Sequence, residues 1–487
     1  MIKKLSDLTG LEHHKNPEIN GITCDSRKVE PGFLFAALPG TEVNGADYIN
    51  HAVERGASAV LCKKGVNLSL EKDVALIQVD RPRKAYAKMA AQFFGAYPER
   101  IYAVTGTSGK SSVVWFVRQL LQALDIKAAS IGTMGAFGPG FFEKGSLTSP
   151  DPVKLHRTIQ KVMDEAGVTD VALEASSHGL DQYRLDGLKV DIAAFTNFSH
   201  EHLDYHETLE AYLDAKKRLF DELISRRGVA VLNADVPEYE ELHNIVAGKG
   251  KRVLSYGHHG SDLTILTEEA TKDGCSLVVQ CDGEGYDLNL KLFGLFQSMN
   301  VLCAIGMIVA AHPDIEKARL FDAASTLKAV PGRMEAFSGH PKGAKVFVDY
   351  AHKPNALETV LKEVRNHTKG NVHVVFGCGG DRDKMKRGQM GKLASQLADY
   401  VVITDDNPRS ENPADIRSAI HAQVPDAENI GNRREAIRFA LSRLAPEDSL
   451  IIAGKGHETG QLVGATLHPF DDRDVAREEI KALEQTA

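Results

Sequence analysis

The stretch Tyr102–Ser112, YAVTGTSGKSS, decides the architecture of this chain. The short apolar run Ile101–Val104 leads into a glycine-bearing turn, which ends in Gly-Lys-Ser-Ser. The residues behind the turn have the spacing of an amphipathic helix, with apolar side chains at Val113, Phe116, Val117, Leu120, Leu121 and Leu124. In such a strand, loop and helix, backbone N–H groups, the positive helix N-terminus and a lysine ammonium converge on phosphate oxygens. The stretch therefore predicts a phosphate-binding loop.

This loop follows a narrower pattern than most phosphate-binding loops. The general form, G-x-x-x-x-G-K-[ST], needs glycine at position 104, where this chain has Val104. The loop instead fits T-G-T-x-G-K-[ST]-[ST], and Ser111 is placed to bind Mg²⁺. A bare Gly-Lys-Ser after a strand can also be an ordinary strand–turn–helix corner. The helical periodicity behind the loop favours ATP binding over that interpretation.

Length and composition indicate a soluble protein of several domains. With 487 residues, three domains of ordinary size are more natural than one core. The net charge of −8, without a basic block, disfavours a nucleic-acid partner. The cysteines form no C-x-x-C pair, which indicates reduced thiols in a cytoplasmic protein. They are Cys24, Cys62, Cys275, Cys281, Cys303 and Cys378.

No membrane attachment is expected from the sequence. The opening residues, MIKKLSDLTGLEHH, lack the apolar centre of a signal peptide. The most apolar segment, Phe293–Ala311, carries Gln297, Ser298 and Asn300. We therefore interpret this segment as a buried helix rather than a membrane span.

Three α/β domains are predicted, and the first covers residues 1–92. Its β-like runs are Gly21–Cys24, Phe33–Leu38 and Ala59–Leu61, with a helix near Ile49–Arg55. The polar segment Cys24-Asp25-Ser26-Arg27 between the first two runs is either a capped turn or a ligand contact.

The second domain is predicted to cover residues 93–329 around the phosphate loop. Its strands are Val168–Leu173, Val190–Phe195 and Gly228–Leu232, and its helices lie near Pro152–Glu165 and Thr208–Ile224. This alternation implies a mostly parallel sheet, with helices on both faces and ligands at the strand ends. Short alternating strands between positions 251 and 291 suggest an antiparallel appendage.

The third domain is predicted to cover residues 330–487, after the Pro331-Gly332 turn, as a second doubly wound sheet. Its strands are Lys345–Asp349, Val372–Phe376, Tyr400–Thr404 and Ser449–Ala453. Its helices are Asn355–Asn366, Arg387–Ala398 and Val475–Leu483. A ligand site between domains is expected.

Two strand-end residues near the phosphate loop are candidate metal ligands. Glu174 ends the strand Val168–Leu173, and His202 follows the next strand along the chain. Mg²⁺ needs hard ligands at this edge of the sheet. Alternatively, Glu174 caps the following turn and the histidines near position 200 lie at the surface. We favour the metal role.

Other polar segments are less specific by themselves. Lys216 and Lys217 lie on a predicted helix, where paired lysines are usually solvated charges. Four polar loops follow strands of the third domain: DYAH (349–352), GCGGDR (377–382), DDNPR (405–409) and AGKGHE (453–458). Polar loops at several strand ends of one sheet favour a binding site.

Taken in order, the motifs of this chain resemble those of the Mur ligases. They are TGTSGKSS, LEASSHGL, HEHLDYH, YLDAKK, GRME, VDYAHKPNAL, FGCGGDRD, DDNPRSENP and GKGHE. The resemblance implies a P-loop ATPase-type central domain and a Rossmann-like C-terminal domain. It implies that ATP phosphorylates the γ-carboxylate of UDP-N-acetylmuramoyl-L-alanyl-D-glutamate, and that an amine displaces phosphate from the acyl phosphate. The implied role is peptidoglycan synthesis, and hence cell wall biogenesis, cell shape and cell division, by a cytoplasmic monomer acting on small molecules.

The resemblance also implies the residues of each subsite. The ATP site comprises Gly106, Thr107, Ser108, Gly109, Lys110, Ser111, Ser112, Asn300, Arg333, Asp349 and His352. The UDP-substrate site comprises Ser26, Thr148, Ser149, Ser176, Gln182 and Arg184. The catalytic residues are Lys110, Glu174, His202 and Lys216, and the metal ligands are Ser111, Glu174, His202 and Lys216.

The resemblance replaces the interpretation of Lys216 as a solvated charge with a catalytic role. Lys216 occupies the lysine of the family's Y-x-x-A-K motif, which carries a carbamate formed with CO₂. A carbamate turns the cation into an anion that can hold a second Mg²⁺ beside the γ-phosphate. The resemblance therefore implies two Mg²⁺ sites, and a Lys216 whose pKa is lowered by burial or by nearby cations.

The added amino acid is implied by the segment Asp406-Asn407-Pro408-Arg409. In the family, D-N-P-R accompanies enzymes that add meso-2,6-diaminopimelate, whereas lysine-adding relatives carry a different loop. Arg409 can grip the distal carboxylate of diaminopimelate with two parallel hydrogen bonds. By family position, Arg382, Gly454 and Glu458 complete the pocket. The alternative is a proline turn that only caps a strand.

Four positions depart from the family pattern, and two other functions compete. Ser108 and Gln297 each replace asparagine, whereas Glu201 and Phe33 each replace aspartate. A folylpolyglutamate synthase would lack the CDSR module and the DNPR loop. A nucleotide-driven switch would lack the acyl-transfer residues, which are Glu174, His202, Lys216 and Arg333.

Overall fold

Alternating strands and helices build most of the chain, which the computed structural model describes over residues 1–40, 43–66, 74–145 and 147–486. The chain divides into two compact units. The first unit comprises Met1–Thr264 and Asn300–Leu320, and the second comprises Ile265–Met299 and Phe321–Ala487. The boundaries of the three predicted domains stay a prediction.

The first part of the first unit is a four-stranded parallel sheet with order β3-β4-β5-β6. The elements are β1 (Lys3–Lys4), α1 (Leu5–Thr9), β2 (Glu18–Ile19), β3 (Gly21–Thr23), β4 (Phe33–Ala36), α2 (Ile49–Glu54), β5 (Ala59–Lys63), β6 (Ala75–Val79) and α3 (Pro82–Phe94). The three predicted strands and the predicted helix are confirmed. Strand β6 and helix α3 were not predicted, although α3 has Pro82 in its first turn and the left-handed Gly95 at its end.

The central part of the first unit carries the phosphate loop between a strand and a helix. Its elements are β7 (Arg100–Thr105), α4 (Lys110–Ala123), β8 (Ala128–Gly132), β9 (Gly135–Gly138), β10 (Phe141–Lys144), α5 (Pro152–Ala166), β11 (Asp170–Glu174), α6 (Ser177–Asp181), β12 (Val190–Phe195), α7 (Leu203–His206), α8 (Leu209–Arg218), β13 (Ile224–Asn233), α9 (Tyr239–Ala247), β14 (Arg252–Gly257) and the first two residues of β15 (Leu263–Thr271). The six apolar residues predicted for the inner face of α4 are all buried. The sheet order is β10-β9-β8-β11-β7-β12-β13-β14-β15.

The register of this sheet aligns the candidate residues at one edge. Glu174 at the end of β11 lies opposite Val104 of β7. Phe195 at the end of β12 lies opposite Thr105 of β7. Since these three strands are parallel, the loops that follow them start at the same edge.

The predicted antiparallel appendage is only partly right. Strand β14 pairs in parallel with β13, and the start of β15 pairs in parallel with β14, so both extend the central sheet. Only β16 (Gly274–Cys281) and β17 (Glu284–Leu290) form the expected antiparallel hairpin. Short strands carry no local signal of their partner, which explains the error.

The second unit contains a mostly parallel sheet of order β18-β19-β23-β20-β21-β22. The remaining elements of the chain are α10 (Phe296–Ala311), α11 (Lys317–Ala324), β18 (Glu335–Phe337), β19 (Lys345–Asp349), α12 (Pro354–Asn366), β20 (Val372–Phe376), α13 (Met385–Leu397), β21 (Tyr400–Ile403), α14 (Pro413–His421), β22 (Glu428–Asn429), α15 (Arg433–Arg443), β23 (Ser449–Ala453), β24 (Gly460–Val463), β25 (Thr466–Pro469) and α16 (Asp472–Thr486). All four predicted strands and all three predicted helices are confirmed. No helix in the described part of the chain combines the length and apolar character of a membrane span.

Candidate active site

The phosphate loop has a backbone that only glycine allows at two positions. Gly106 has φ +145°, and a Cβ atom there would collide with Thr196 Oγ1. Gly109 has φ +86°, and a Cβ atom there would collide with Asn300 Oδ1. Asn300, a candidate ATP-binding residue, therefore lies directly against the loop. The loop is therefore fixed by close approach as well as by its turn.

A segment after β12 holds the phosphate loop in place. Thr196 Oγ1 donates to Ser108 O at 2.6 Å, and Ser108 N donates to Asn197 Oδ1 at 2.9 Å. Thr107 N donates to Asn197 O at 2.9 Å. Thr196 and Asn197 were not among the predicted site residues. Their polar side chains at a strand end next to the phosphate loop were the signal that could have found them.

Lys110 lies at the start of α4 with its ammonium turned back over the loop. Its Nζ donates to Gly106 O at 2.9 Å and to Thr107 O at 2.7 Å. These carbonyls hold the cation at the positive end of the helix. The ammonium therefore lies where a phosphate bound by the loop would meet it.

Lys216 is fully buried, at 1% exposure, beside the same loop. Its Nζ donates to Gly106 O at 2.7 Å and lies 4.3 Å from the centre of the Tyr212 ring. Burial, and then the nearby charge of Lys110, hold the pKa of Lys216 well below its usual range, against the opposing charge of Glu201. A depressed pKa favours the neutral form of this amine.

The solvated-charge interpretation is wrong for Lys216, whereas Lys217 is partly buried and paired with two acids. Lys217 pairs with Asp214 at 3.0 Å and with Glu241 at 2.5 Å, and both acids are mostly exposed. Successive residues on a helix face different directions, so Lys216 can be buried against the loop while Lys217 reaches exposed acids.

Glu174 is buried and turned toward the loop after β8. Its Oε1 accepts a hydrogen bond from Thr133 N at 2.8 Å, and its Oε2 accepts one from Thr133 Oγ1 at 3.3 Å. The cap of the following helix α6 is Ser176, whose Oγ accepts from Gly179 N at 3.1 Å. The capping role considered for Glu174 is therefore taken by another residue.

The predicted metal ligands do not form a ready-made cluster of acids and histidines. His202 has left-handed φ +58°, and its Nε2 lies 3.7 Å from Glu201 Oε2. Over the described ranges, no group of three or more His, Cys, Asp or Glu side chains is arranged to hold a metal ion. The predicted metal ligands also include Ser111 and Lys216, which are not of these four residue types. The ligand set therefore stays a prediction.

The residues predicted for the UDP-linked substrate lie together, linked by hydrogen bonds. Ser149 Oγ lies 3.0 Å from Ser176 Oγ and donates to Glu174 O at 2.8 Å. Arg184 donates to Ser149 O at 2.8 Å and to Gln182 Oε1 at 2.7 Å. Thr148 Oγ1 lies 3.0 Å from Thr133 Oγ1, which contacts Glu174. A continuous polar surface therefore runs from the candidate substrate residues to Glu174.

Ser26 lies elsewhere in the first unit, buried at the start of a single helical turn whose other two residues are exposed. Asp25 caps this turn by accepting a hydrogen bond from Arg27 N at 3.1 Å, and it also pairs with the Arg27 guanidinium at 2.9 Å. The capped-turn interpretation of this segment is confirmed. A capped turn and a ligand contact are compatible, since the cap uses Asp25 and leaves the role of Ser26 open.

In the second unit, Arg333 and the residues after β19 form one cluster. The guanidinium of Arg333 lies 4.4 Å from the centre of the Tyr350 ring. Asp349 accepts hydrogen bonds from Met334 N and Ala351 N, each at 2.7 Å, and burial raises its pKa although Arg333 opposes this.

One polar atom of this cluster has no partner in the described part of the chain, and a neutral imidazole accompanies it. Within the described residues, the buried Nε of Arg333 has no hydrogen-bond partner. Burial lowers the pKa of His352 to about 4, so its ring is neutral near pH 7. The nearest fixed contact of that ring is Nδ1 to Tyr350 O at 2.8 Å. An unpartnered guanidinium N–H beside a neutral imidazole suits a phosphate or a ribose.

The loops after β21 and β23 are joined by Lys455. This fully buried ammonium lies 3.1 Å from Asn407 Oδ1 and 3.2 Å from Glu458 Oε2. Asn407 Nδ2 also donates to Glu458 Oε2 at 3.0 Å. Gly454 has φ +119°, and a Cβ atom there would approach Asp406 Oδ2 to 2.8 Å. Lys455 was quoted within a motif but was not predicted as a site residue.

Arg409 combines a strained backbone conformation with a side chain that is held by a hydrogen bond. Its φ is +51°, and its guanidinium donates to Gly380 O at 2.8 Å. Its backbone N donates to Leu462 O at 3.1 Å, which ties it to strand β24. Non-glycine residues adopt this conformation rarely and often at functional sites. Arg382 is exposed.

Comparison with known proteins places these features in a family. Three family models match successive parts of the chain: "Mur ligase family, catalytic domain" at residues 18–94, "Mur ligase middle domain" at 104–308, and "Mur ligase, glutamate ligase domain" at 332–456. The UDP-N-acetylmuramoyl-L-alanyl-D-glutamate--2,6-diaminopimelate ligase of Caulobacter vibrioides is 46% identical over 490 residues, covering 99% of each chain. The chain belongs to the Mur ligase family. A Mesorhizobium japonicum protein of the same name is also 46% identical, over 98% of this chain and 99% of its own.

Solved structures agree with the predicted fold class of this Mur ligase. A structure titled as a UDP-N-acetylmuramoyl-L-alanyl-D-glutamate--2,6-diaminopimelate ligase has a TM-score of 0.74 at 30% identity, covering 99% of this chain and 100% of its own. A folylpolyglutamate synthase from Mycobacterium tuberculosis has a TM-score of 0.62 at 19% identity, over 76% of this chain and 92% of its own. The second likeness shows a shared fold alone. Three α/β domains with a parallel-rich central sheet are thereby confirmed.

Proposed function

We propose that this Mur ligase uses ATP to join meso-2,6-diaminopimelate to the γ-carboxylate of UDP-N-acetylmuramoyl-L-alanyl-D-glutamate. The observation that carries the proposal is Arg409, fixed in a strained turn beside Asn407 and Glu458. The two relatives at 46% identity, both named as diaminopimelate ligases, support the same assignment. They disfavour a folylpolyglutamate synthase, which the family resemblance alone leaves as a competitor.

Lys110 stabilises the phosphoryl group that transfers. Its ammonium already rests on the carbonyls of Gly106 and Thr107, within the turn that would hold the phosphates. Transfer concentrates negative charge on the γ-phosphoryl oxygens and the leaving oxygen, and a fixed cation lowers the energy of that state. Ser108, Gly109, Ser111 and Ser112 supply backbone and hydroxyl groups around the same phosphates.

Mg²⁺ fits the oxygen donors at this edge of the sheet. Ser111 offers a hydroxyl and Glu174 a buried carboxylate, both of which suit a hard cation. When bound, Mg²⁺ neutralises charge on the phosphates. His202 has its ring 4.9 Å from that of His178, so we propose it as a further ligand within an imidazole-rich loop.

Lys216 is proposed to carry a carbamate that holds the second ion. Its Nζ donates to Gly106 O, to which Lys110 also donates. A cationic lysine in this place would repel both Lys110 and a metal ion. Reaction of the neutral amine with CO₂ gives an N-carboxylate and releases a proton. The lowered pKa and the nearly complete burial make this site suited to that reaction.

The UDP-linked substrate is proposed to lie along the hydrogen-bonded surface formed by Thr148, Ser149, Ser176, Gln182 and Arg184. These side chains lead to the buried Glu174, so the substrate carboxylate can approach the phosphate loop from this side. Ser26 is proposed to contact the uridine nucleotide. Asn300, Arg333, Asp349 and His352 are proposed to bind the remainder of ATP.

The acceptor is selected by charge at its far end. Diaminopimelate carries a carboxylate and an ammonium there, whereas lysine carries only the ammonium. We propose that Arg409 binds the carboxylate and that Glu458 accepts from the ammonium, with Arg382, Asp406, Asn407, Pro408 and Gly454 shaping the pocket. Lysine would leave Arg409 without its anionic partner, and an unpaired group of this kind is costly.

The acceptor assignment predicts a selectivity that depends on Arg409. The wild type should use meso-diaminopimelate about 10³-fold to 10⁵-fold better than L-lysine in kcat/KM. Arg409→Ala should lose most of this ratio, chiefly through the diaminopimelate value. Arg438→Ala, which removes a largely exposed arginine paired with Glu479, is the matched control and should keep it. Equal use of both amino acids by the wild type, or an unchanged ratio in Arg409→Ala, would overturn the assignment.

The setting of the reaction is proposed from the thiols and the substrates. All six cysteines are free in the structure, which suits a reducing compartment. We therefore propose a cytoplasmic monomer that acts on soluble precursors of peptidoglycan, and through them on cell wall biogenesis, cell shape and cell division.

A further inference from the structure

A buried arginine outside the predicted site joins two of its loops. Arg433 begins helix α15 and is 2% exposed. Its Nη2 donates to Ala453 O at 2.9 Å, and its Nη1 lies 3.4 Å from Asp405 O. Ala453 ends β23 just before Gly454, and Asp405 immediately precedes Asp406. One guanidinium therefore contacts the first backbone carbonyl of each of two acceptor loops.

The guanidinium of Arg433 is itself held from the other side by Asp472. Nε donates to Asp472 Oδ1 and Nη2 donates to Asp472 Oδ2, both at 2.7 Å. Both side chains are completely buried, and the nearby carboxylate raises the pKa of Arg433. This bidentate geometry fixes the plane of the guanidinium, and hence the directions of its remaining N–H bonds.

The buried pair is a costly way to gain stability alone. Removing two charges from water is expensive, and well-packed apolar residues of similar size often serve folding as well or better. What the pair adds is a fixed direction for donors that point at the two strand ends. Few other groups can bond two separate carbonyls and a carboxylate at once, because a guanidinium has five N–H donors in one plane.

We propose that Arg433, oriented by Asp472, is a positioning residue that sets the spacing between the 405–409 loop and the 453–458 loop, and thereby the affinity for the amino-acid acceptor. This rests on the proposed function, since those loops form its acceptor pocket. Arg433 does not touch the substrate. It acts through Asp406 and Gly454, which approach each other closely enough that a Cβ on Gly454 would lie 2.8 Å from Asp406 Oδ2.

The test replaces both charges together, so that no unpaired charge stays buried. The double variant Arg433→Met/Asp472→Leu keeps the volume approximately and loses both loop contacts. The KM for diaminopimelate should rise about tenfold to a hundredfold, since small displacements of a binding group are costly. The KM values for ATP and for the UDP-dipeptide should change by less than about twofold. The preference for diaminopimelate over lysine should fall with the rise in KM.

Two further variants make the result specific. Arg434→Met removes the next arginine, which pairs with Glu478 and Glu479 of the same α16 helix but contacts neither loop, and it should behave as wild type. Arg433→Lys keeps the charge but cannot bond both carbonyls and Asp472 together, so it should show the same selective rise in KM. This variant decides the matter if the double variant does not fold.

The outcomes separate the positioning role from the proposed function. Equal losses toward all three substrates, or unchanged kinetics in folded variants, would overturn the positioning role. If the wild type prefers lysine, the diaminopimelate assignment fails, yet the KM for lysine in the same variants still tests the role of Arg433.

Discussion

Replacing Lys110 with alanine is expected to lower kcat by about 10³-fold or more, as the loss of a fixed charge at a phosphoryl-transfer centre does. The ammonium is already in place over Gly106 and Thr107, so catalysis loses a preorganised group rather than a flexible one. The KM for the amino acid should change little, because Lys110 is proposed to act on the phosphoryl group rather than to bind the acceptor. Steady-state rates of phosphate release measure both quantities.

Two controls accompany this prediction. Lys189→Ala removes an exposed lysine of the same unit and should retain wild-type rates. Calorimetric unfolding of Lys110→Ala should stay close to that of the wild type, because two of the hydrogen bonds lost are to carbonyls of the same turn. A folded Lys110→Ala variant with near-normal ligation would show that this loop is not the ATP site.

Lys216→Ala is expected to be nearly inactive, with a loss also of about 10³-fold, and to regain activity when a short carboxylic acid is supplied. The missing N-carboxylate is the group that the added acid replaces, and the space left by the side chain lies next to Gly106. Lys217→Ala is the matched control from the adjacent residue, and its rates should stay within about twofold of wild type. Rate measurements with and without acetate test the rescue.

A second readout identifies the chemical form of Lys216 directly. Active wild-type enzyme equilibrated with ¹³C-labelled bicarbonate should show a carbamate carbon signal, which is absent in Lys216→Ala and present in Lys217→Ala. An active enzyme without this signal, or a fully active Lys216→Ala variant, would show that Lys216 acts as a free amine.

Much of the fold could be predicted because hydrophobic patterns are local. The strands Lys345–Asp349, Val372–Phe376 and Ser449–Ala453 match the structure to the residue, since each is a short apolar run with turn residues on both sides. The pairing of β14 could not be predicted in the same way. Its partner β13 is set by the whole sheet, and the six residues of β14 do not distinguish a parallel neighbour from an antiparallel one.

The site was predictable where residue type and motif carry the chemistry. The motif alone predicts phosphate binding by Gly106, Gly109 and Lys110. The structure adds the close approaches that require glycine at positions 106 and 109. The burial of Lys216 could not follow from residue type, because it depends on the ring of Tyr212 and on the loop carbonyl of Gly106. Only the family motif indicated it.

Residues that hold the loops of the site in place were the hardest to predict. Asn197 accepts hydrogen bonds from the phosphate loop with its side chain and its backbone carbonyl. The residues around Asn197 in the sequence do not indicate that the phosphate loop is its partner. Arg433 and Lys455 carry long charged side chains, which are usually exposed, whereas both are buried, Arg433 at the start of α15 and Lys455 after β23. Their partners are distant in sequence, so only the folded chain brings them together.

Ligation through an acyl phosphate is tested most directly by following the oxygen of the substrate carboxylate. UDP-N-acetylmuramoyl-L-alanyl-D-glutamate labelled with ¹⁸O in its γ-carboxylate is incubated with ATP, Mg²⁺ and meso-diaminopimelate, and the released phosphate is analysed by mass spectrometry. If the carboxylate attacks the γ-phosphorus and the amine then displaces phosphate, each phosphate should carry one ¹⁸O, and each should accompany one tripeptide product. Unlabelled phosphate, or phosphate released without the amide product, would contradict this reaction.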